Sequence, residues 1–187
     1  MLRVFTVLSV MGLVWGMSSG PAAAQHERYY EFEGTHVALS IERFMGIDYV
    51  DFEGPPSGDV HARFLLNADE YVPTSYARFG FDVFIHRLSV GLAGGVTGDE
   101  NAILAPRVGY LIGITPQIGI WLRGGAFFAT TPGPNYFGIT GEAFFAYFPY
   151  SRIALHLGPT IDLAFANRNF PNYVALGLPE FGMTVFL

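Results

Sequence analysis

Residues 102–128 read AILAPRVGYLIGITPQIGIWLRGGAFF, and apolar residues alternate with small or charged ones through both halves of the stretch. In the first half Leu104, Pro106, Val108, Tyr110 and Ile112 share one face, and Ala105, Arg107, Gly109 and Leu111 share the other. In the second half Ile118, Ile120, Leu122 and Ala126 oppose Gly119, Trp121, Arg123 and Gly125. Period-two alternation on both sides of Thr115-Pro116-Gln117 is the pattern of a β-hairpin, because successive side chains of a strand point to opposite faces. Each strand has one apolar face and one face that carries a single arginine.

Composition narrows where such strands can stand. The chain has 187 residues, 51% of them hydrophobic and 14% charged, and a mean hydropathy of +0.34, which is high for a domain that folds in water. Part of the excess lies at the start. Arg3 precedes an apolar run from Val4 to Trp15, then come Ser18, Ser19, Gly20 and Pro21, and Ala22-Ala23-Ala24 supplies small residues for a signal peptidase. Residues 1–24 are therefore expected to be a signal peptide, the run being shorter than the about 20 residues needed to span a bilayer as a helix. Residues 25–34, QHERYYEFEG, read as a periplasmic or interfacial segment, and 35–187 as the folded barrel.

The chain contains no cysteine, so disulfides, thiolate metal sites and a lipid-anchored cysteine are excluded. It contains no lysine either, although a soluble exported barrel coats its outward face with charge. A net charge of −6 without a basic cluster argues against nucleic acid as a partner.

Taken in order, a first strand sets Val37, Leu39, Ile41, Met45, Ile47 and Tyr49 against Ala38, Ser40, Glu42, Gly46 and Asp48. Arg43 falls on the apolar parity, so either a bulge shifts the register there or the side chain snorkels. Phe52 to Pro73, with its Gly-Pro-Pro-Ser-Gly-Asp run, reads as the longest loop. A second strand sets Ala77, Phe79, Phe81, Val83 and Ile85 against Arg78, Gly80 and Asp82. The third runs from Leu88 to Val96, and the opening hairpin supplies the fourth and fifth. The sixth places Phe137, Ile139, Ala143, Phe145 and Tyr147 opposite Gly138, Thr140 and Glu142. In the seventh, Ile153 to Phe165 oppose Ala154, His156, Gly158, Thr160 and Asp162, and in the last Ala175, Phe181, Met183, Val185 and Leu187 oppose Glu180, Gly182 and Thr184. Pro106, Pro159 and Pro179 sit inside these strands on the apolar parity and are read as bulges, since proline removes a ladder donor.

Longer connections follow the odd strands and short turns the even ones, the layout of an even-stranded transmembrane barrel with both termini periplasmic. No run of 18 or more apolar residues follows the leader, and closed barrels are the other structure that satisfies every backbone polar group in lipid. The pattern from Thr35 to Leu187 resembles the small eight-stranded outer-membrane barrels, the class of the OmpA transmembrane domain and OmpX. Those usually end on an aromatic residue; here Phe186 stands one place early and Leu187 is last. The resemblance implies an all-β, antiparallel, up-and-down barrel in a Gram-negative outer membrane. Its partners would be membrane lipid, lipopolysaccharide and the barrel-insertion machinery, and a monomer is expected.

The charges within the strands fall on the non-apolar parity. Glu42, Arg78, Arg107, Arg123, Glu142 and Glu180 come out at similar depth, with Asp82 and Asp162 on the same face. An eight-stranded barrel is just wide enough for side chains to fill, so these eight residues are expected to form an ion-paired interior, with glycines such as Gly80, Gly109 and Gly182 making room. Other readings of the belt are a narrow gated pore, or a proton path through His156 and Asp162. Some barrels of this class modify lipid A with a His, a Ser and an acid near the outer leaflet, but this parity puts no such trio on the lipid side. No metal or cofactor spacing occurs, so a non-enzymatic structural or surface-interaction role is expected. Two aromatic girdles are expected as well. Tyr49, Phe52, Tyr76, Phe128, Tyr136, Phe137, Phe165 and Tyr173 would form the outer one, and Tyr110, Tyr147, Phe148, Tyr150 and Phe186 the periplasmic one.

Overall fold

The computed structural model describes residues 34–52, 58–64, 77–96, 101–131, 133–166 and 171–187. They form β1 (Thr35–Phe52), β2 (Gly58–Phe64), β3 (Arg78–Ile85), β4 (Leu88–Val96), β5 (Ala102–Thr115), β6 (Ile118–Thr130), β7 (Tyr136–Tyr150), β8 (Ile153–Ala166) and β9 (Tyr173–Phe186). From β3 to β9 each strand pairs antiparallel with the next, β1 pairs with β3, and β9 returns to β1, so eight strands close on themselves. The β1–β9 pairing carries the ladder around the barrel, the condition for β-structure in lipid, and β2 adds to β1 as its one partner among the described residues.

β2 is a correction to the sequence reading, which placed Phe52 to Pro73 in one loop. Residues 58–64 pair with the far half of β1, from Met45–Phe64 to Asp51–Gly58, while the near half of β1, up to Glu42, pairs with β3. β2 and β3 thus take turns along one edge of β1. The rest of that loop, with Tyr76, lies outside the described residues, as do the leader at 1–24 and residues 25–33.

Burial alternates along the strands as the period-two pattern requires. β5 reads intermediate, buried, exposed, buried, exposed through Arg107 and Leu111, with Leu104, Val108, Tyr110 and Ile112 outside. The outer wall is a band of exposed Leu, Ile, Val and Phe, and the lumen is filled in three layers. Near the short turns an apolar layer is built from Phe84, Leu111, Trp121, Phe144, Phe148 and Phe186. Near the long connections a second is built from Val50, Ile103, Phe127, Tyr136 and Tyr173 among smaller residues. The charged residues lie between them.

Three local expectations change. Ala175 faces inward, because two residues of β9, Leu178 and Pro179, stand opposite one residue of β8 between the pairs Gly158–Glu180 and Thr160–Gly177. That bulge flips the parity upstream of it. Pro179 therefore does sit in a bulge. Pro159 is the β8 residue that this bulge faces, and Pro106 alone of the three lies away from a register shift. The β5–β6 ladder merely skips Ala105–Pro106, and the β7–β8 ladder skips Ala143 and Phe144 opposite Gly158 and Pro159, in each case with the register unchanged, as loss of an N–H donor allows. Finally, Tyr136, Tyr173, Phe148 and Phe186 point into the lumen and belong to no girdle. Tyr49, Phe128, Phe137 and Phe165 at one end, and Tyr110, Tyr147 and Tyr150 at the other, stay exposed.

Candidate functional site

The interior belt begins with an irregularity in β1. Ile41 pairs with Met183 of β9 and Met45 with Phe181, so the three residues Glu42, Arg43 and Phe44 stand against one. The bulge falls where β1 passes from β3 to β2 as its neighbour, and Arg43 adopts a positive φ of 51° there. A left-handed arginine is uncommon and costs backbone energy. Its effect is to turn both Glu42 and Arg43 inward. Arg43 is 2% exposed, so of the two sequence readings the bulge is the one found.

From β1 the charges cross the lumen. Arg107 on β5 pairs with Glu42, Nη1 to Oε2 at 2.5 Å, and with Asp82 of β3. Arg123 on β6 pairs with the other oxygen of Glu42 at 2.6 Å and with Glu142 of β7 at 2.7 Å. Arg43 meets Glu142 at 2.9 Å and Asp162 of β8 at 2.5 Å, and donates to the Thr140 hydroxyl at 3.1 Å. Asp162 in turn lies 3.7 Å from Arg78 of β3. Asp82, Arg107, Glu42, Arg123, Glu142, Arg43, Asp162 and Arg78 thus form one chain of strictly alternating sign, four carboxylates and four guanidinium groups.

All eight are buried. Alternation matters because an isolated charge in a dry interior is costly, whereas a fully paired one can be accommodated. Seven of the eight residues expected from sequence lie in this chain; Glu180, the eighth, is buried on β9 with its carboxylate over Gly46 and Gly177, where a Cβ would collide with it. Gly80 opens space in the same way, for Ser40 and Arg107.

Sequence reading missed Arg43. The expected set holds five carboxylates and three arginines, and that deficit of positive charge, beside one arginine out of pattern, was the available signal.

Below the belt, Arg123 lies 4.3 Å from the Trp121 ring centroid and 4.8 Å from that of Phe144, so the charged layer rests on the aromatic one through cation–π contacts. His156 is part of this floor. Its ring packs against Phe144 at 4.9 Å and Trp121 at 6.0 Å, lies over Gly182, and shares a hydrogen bond of 3.2 Å with the Thr184 hydroxyl. Ser89 accepts from the Trp121 indole at 3.2 Å. The serine and the histidine of this layer are thus bonded to Trp121 and Thr184 and not to each other.

No family model matches the chain, and no curated protein does. Solved structures do. Neisserial surface protein A superposes with a TM-score of 0.52 at 10% sequence identity, over 82% of this chain and 97% of that one. The fold is that of the small outer-membrane barrels. Weaker likenesses include Ail, the attachment invasion locus protein of Yersinia pestis, in complex with the heparin analogue sucrose octasulfate, with a TM-score of 0.47 at 8% identity over 83% of this chain and all of that one. The N-terminal β-barrel domain of Pseudomonas aeruginosa OprF gives 0.43 at 9% identity, over 80% and 97%. At such identities the likeness concerns fold, and function has to be argued from the lumen and the walls.

Proposed function

We propose that the chain is exported by the leader at 1–24 and stands in the outer membrane as a closed, non-conducting and non-enzymatic barrel, its role structural or exercised through its long connections. The observation that carries this reading is the filling of the lumen: an alternating ion-pair chain lies between two apolar layers, so a solute moving along the axis would have to displace all three. The outward band of exposed Leu, Ile, Val and Phe supports burial of the wall in lipid, because a soluble barrel places charge there.

Surface interaction is the finer part of the reading. By sequence, the segments joining strand ends opposite the short turns hold Glu53, Asp99 and Glu100 against Arg168, whereas the short turns hold Arg87 and Arg152. A partner met at the long connections would therefore be cationic. Short turns and both barrel ends, Thr35 and Phe186, lie on one side, which we assign to the periplasm.

Expression with the native leader tests the proposal. The protein is expected in the outer-membrane fraction, with an intact mass beginning at Gln25 and with gel migration that changes on boiling. Recovery in the soluble periplasm, or migration indifferent to heat, contradicts it.

A further inference from the structure

The outer wall carries a concavity that the closed-plug reading does not use. It lies at the long-connection end of β3, β4, β5 and β6 and has a volume of about 560 Å³, larger than the wall grooves of about 320 and 300 Å³ elsewhere. Register explains it. Phe79, Gly94, Leu104 and Phe128 are successive cross-strand neighbours on the outward face. Phe79, Leu104 and Phe128 are 62%, 51% and 49% exposed, so the glycine leaves a slot one side chain wide between two tall walls. One row nearer the rim, Val96, Ala102 and Thr130 are neighbours, and the two small residues continue the slot. Gly95, on the inward face, lets the Ala77 backbone approach closely, since a Cβ there would meet the Ala77 carbonyl at 2.7 Å.

Resting on the membrane reading above, we propose that this slot is a seat for one acyl chain of a membrane lipid in the leaflet at the long-connection end. Its outward walls are hydrocarbon, with the Thr130 hydroxyl the polar side-chain group among the lining residues, at the rim where a headgroup would lie. The slot is also continuous with the exposed apolar band, so what meets that band is what enters it. A chain held there buries surface on three sides, whereas annular lipid on a flush wall buries it on one.

The test is lipid retention. Barrel refolded into phosphatidylethanolamine vesicles is extracted into mild detergent and weighed by native mass spectrometry. The parent is expected to keep one phosphatidylethanolamine per barrel. Ala102→Phe, which grows a side chain into the slot without touching the lumen, is expected to lower that retention by about tenfold. Ala143→Phe, which fills the groove on β7 and β8, is expected to leave it unchanged. Equal retention by parent and Ala102→Phe overturns the proposal, as does equal loss in both variants or the capture of detergent alone. Heat-modifiable migration of each variant shows that it folded; a parent that fails to enter vesicles at all would refute the membrane reading instead.

Discussion

Arg43 holds together the two halves of the ion-pair chain. Without it, Glu142 keeps Arg123 but Asp162 is left with a distant Arg78, and the alternating chain carries one excess negative charge. Breaking a buried pair from one side typically costs about 3 to 5 kcal/mol. Arg43→Met is therefore expected to lower the melting temperature in detergent by on the order of 10 °C, and the same holds for Arg107→Ala and Arg123→Ala. Adding Asp162→Asn to Arg43→Met restores the charge balance and should return a large part of the loss. Parent-like melting of the single variants would remove the energetic role assigned to the network. His156 gives a second outcome at this scale. Its ring is held by Phe144, Trp121 and Thr184, with no carboxylate among the described residues hydrogen-bonded to it. Refolded barrel incubated with lipid A is accordingly expected to leave the acyl pattern unchanged by mass spectrometry, and any acyl change would overturn the non-enzymatic reading.

Among the elements, β1 shows what a sequence pattern discloses and what it withholds. Alternation placed Val37 to Ile41 and Met45 to Tyr49 on the outward face, and burial follows it on both sides of the break. The break was visible as Arg43 out of pattern, but its consequence was not. Whether an off-pattern arginine turns inward depends on three residues of β1 standing against one of β9, a pairing register that no local period encodes. Ala175 failed for the same reason, since the parity of β9 changes at Leu178-Pro179. β2 was hidden differently: the turn-rich run before it signals a loop, and only the far half of β1, along the edge that β3 does not reach, gives residues 58–64 a partner. Deletions test the role of the bulge. Removing Arg43 and Phe44 together leaves Ile41 and Met45 in a regular ladder, and this variant is expected to fold with reduced stability. Removing Phe44 alone shifts one half of the strand by one residue, which sends inward residues to the lipid face, and heat-modifiable folding should be lost. If the one-residue deletion folds as well as the two-residue one, the bulge does not set the register.

For the whole molecule the lumen decides function. An eight-stranded barrel leaves room for side chains and little else, and here that room holds an alternating chain of eight charges whose pairs Glu42–Arg107 and Arg43–Glu142 span from β1 to strands that are not its neighbours. The aromatic floor under Arg123 and the apolar layer around Phe127 close both ends of that belt. A charged belt was legible from parity and depth alone. The two apolar layers were not drawn from it, because Trp121, Phe127 and Phe148 share the inward parity with the charges, and their grouping by height needs the stagger of a closed sheet. Planar-bilayer recording of the refolded barrel tests the closed lumen most directly. A closed lumen gives a flat baseline at moderate voltage; reproducible stepwise openings of the parent would contradict closure and make the belt the lining of a pore.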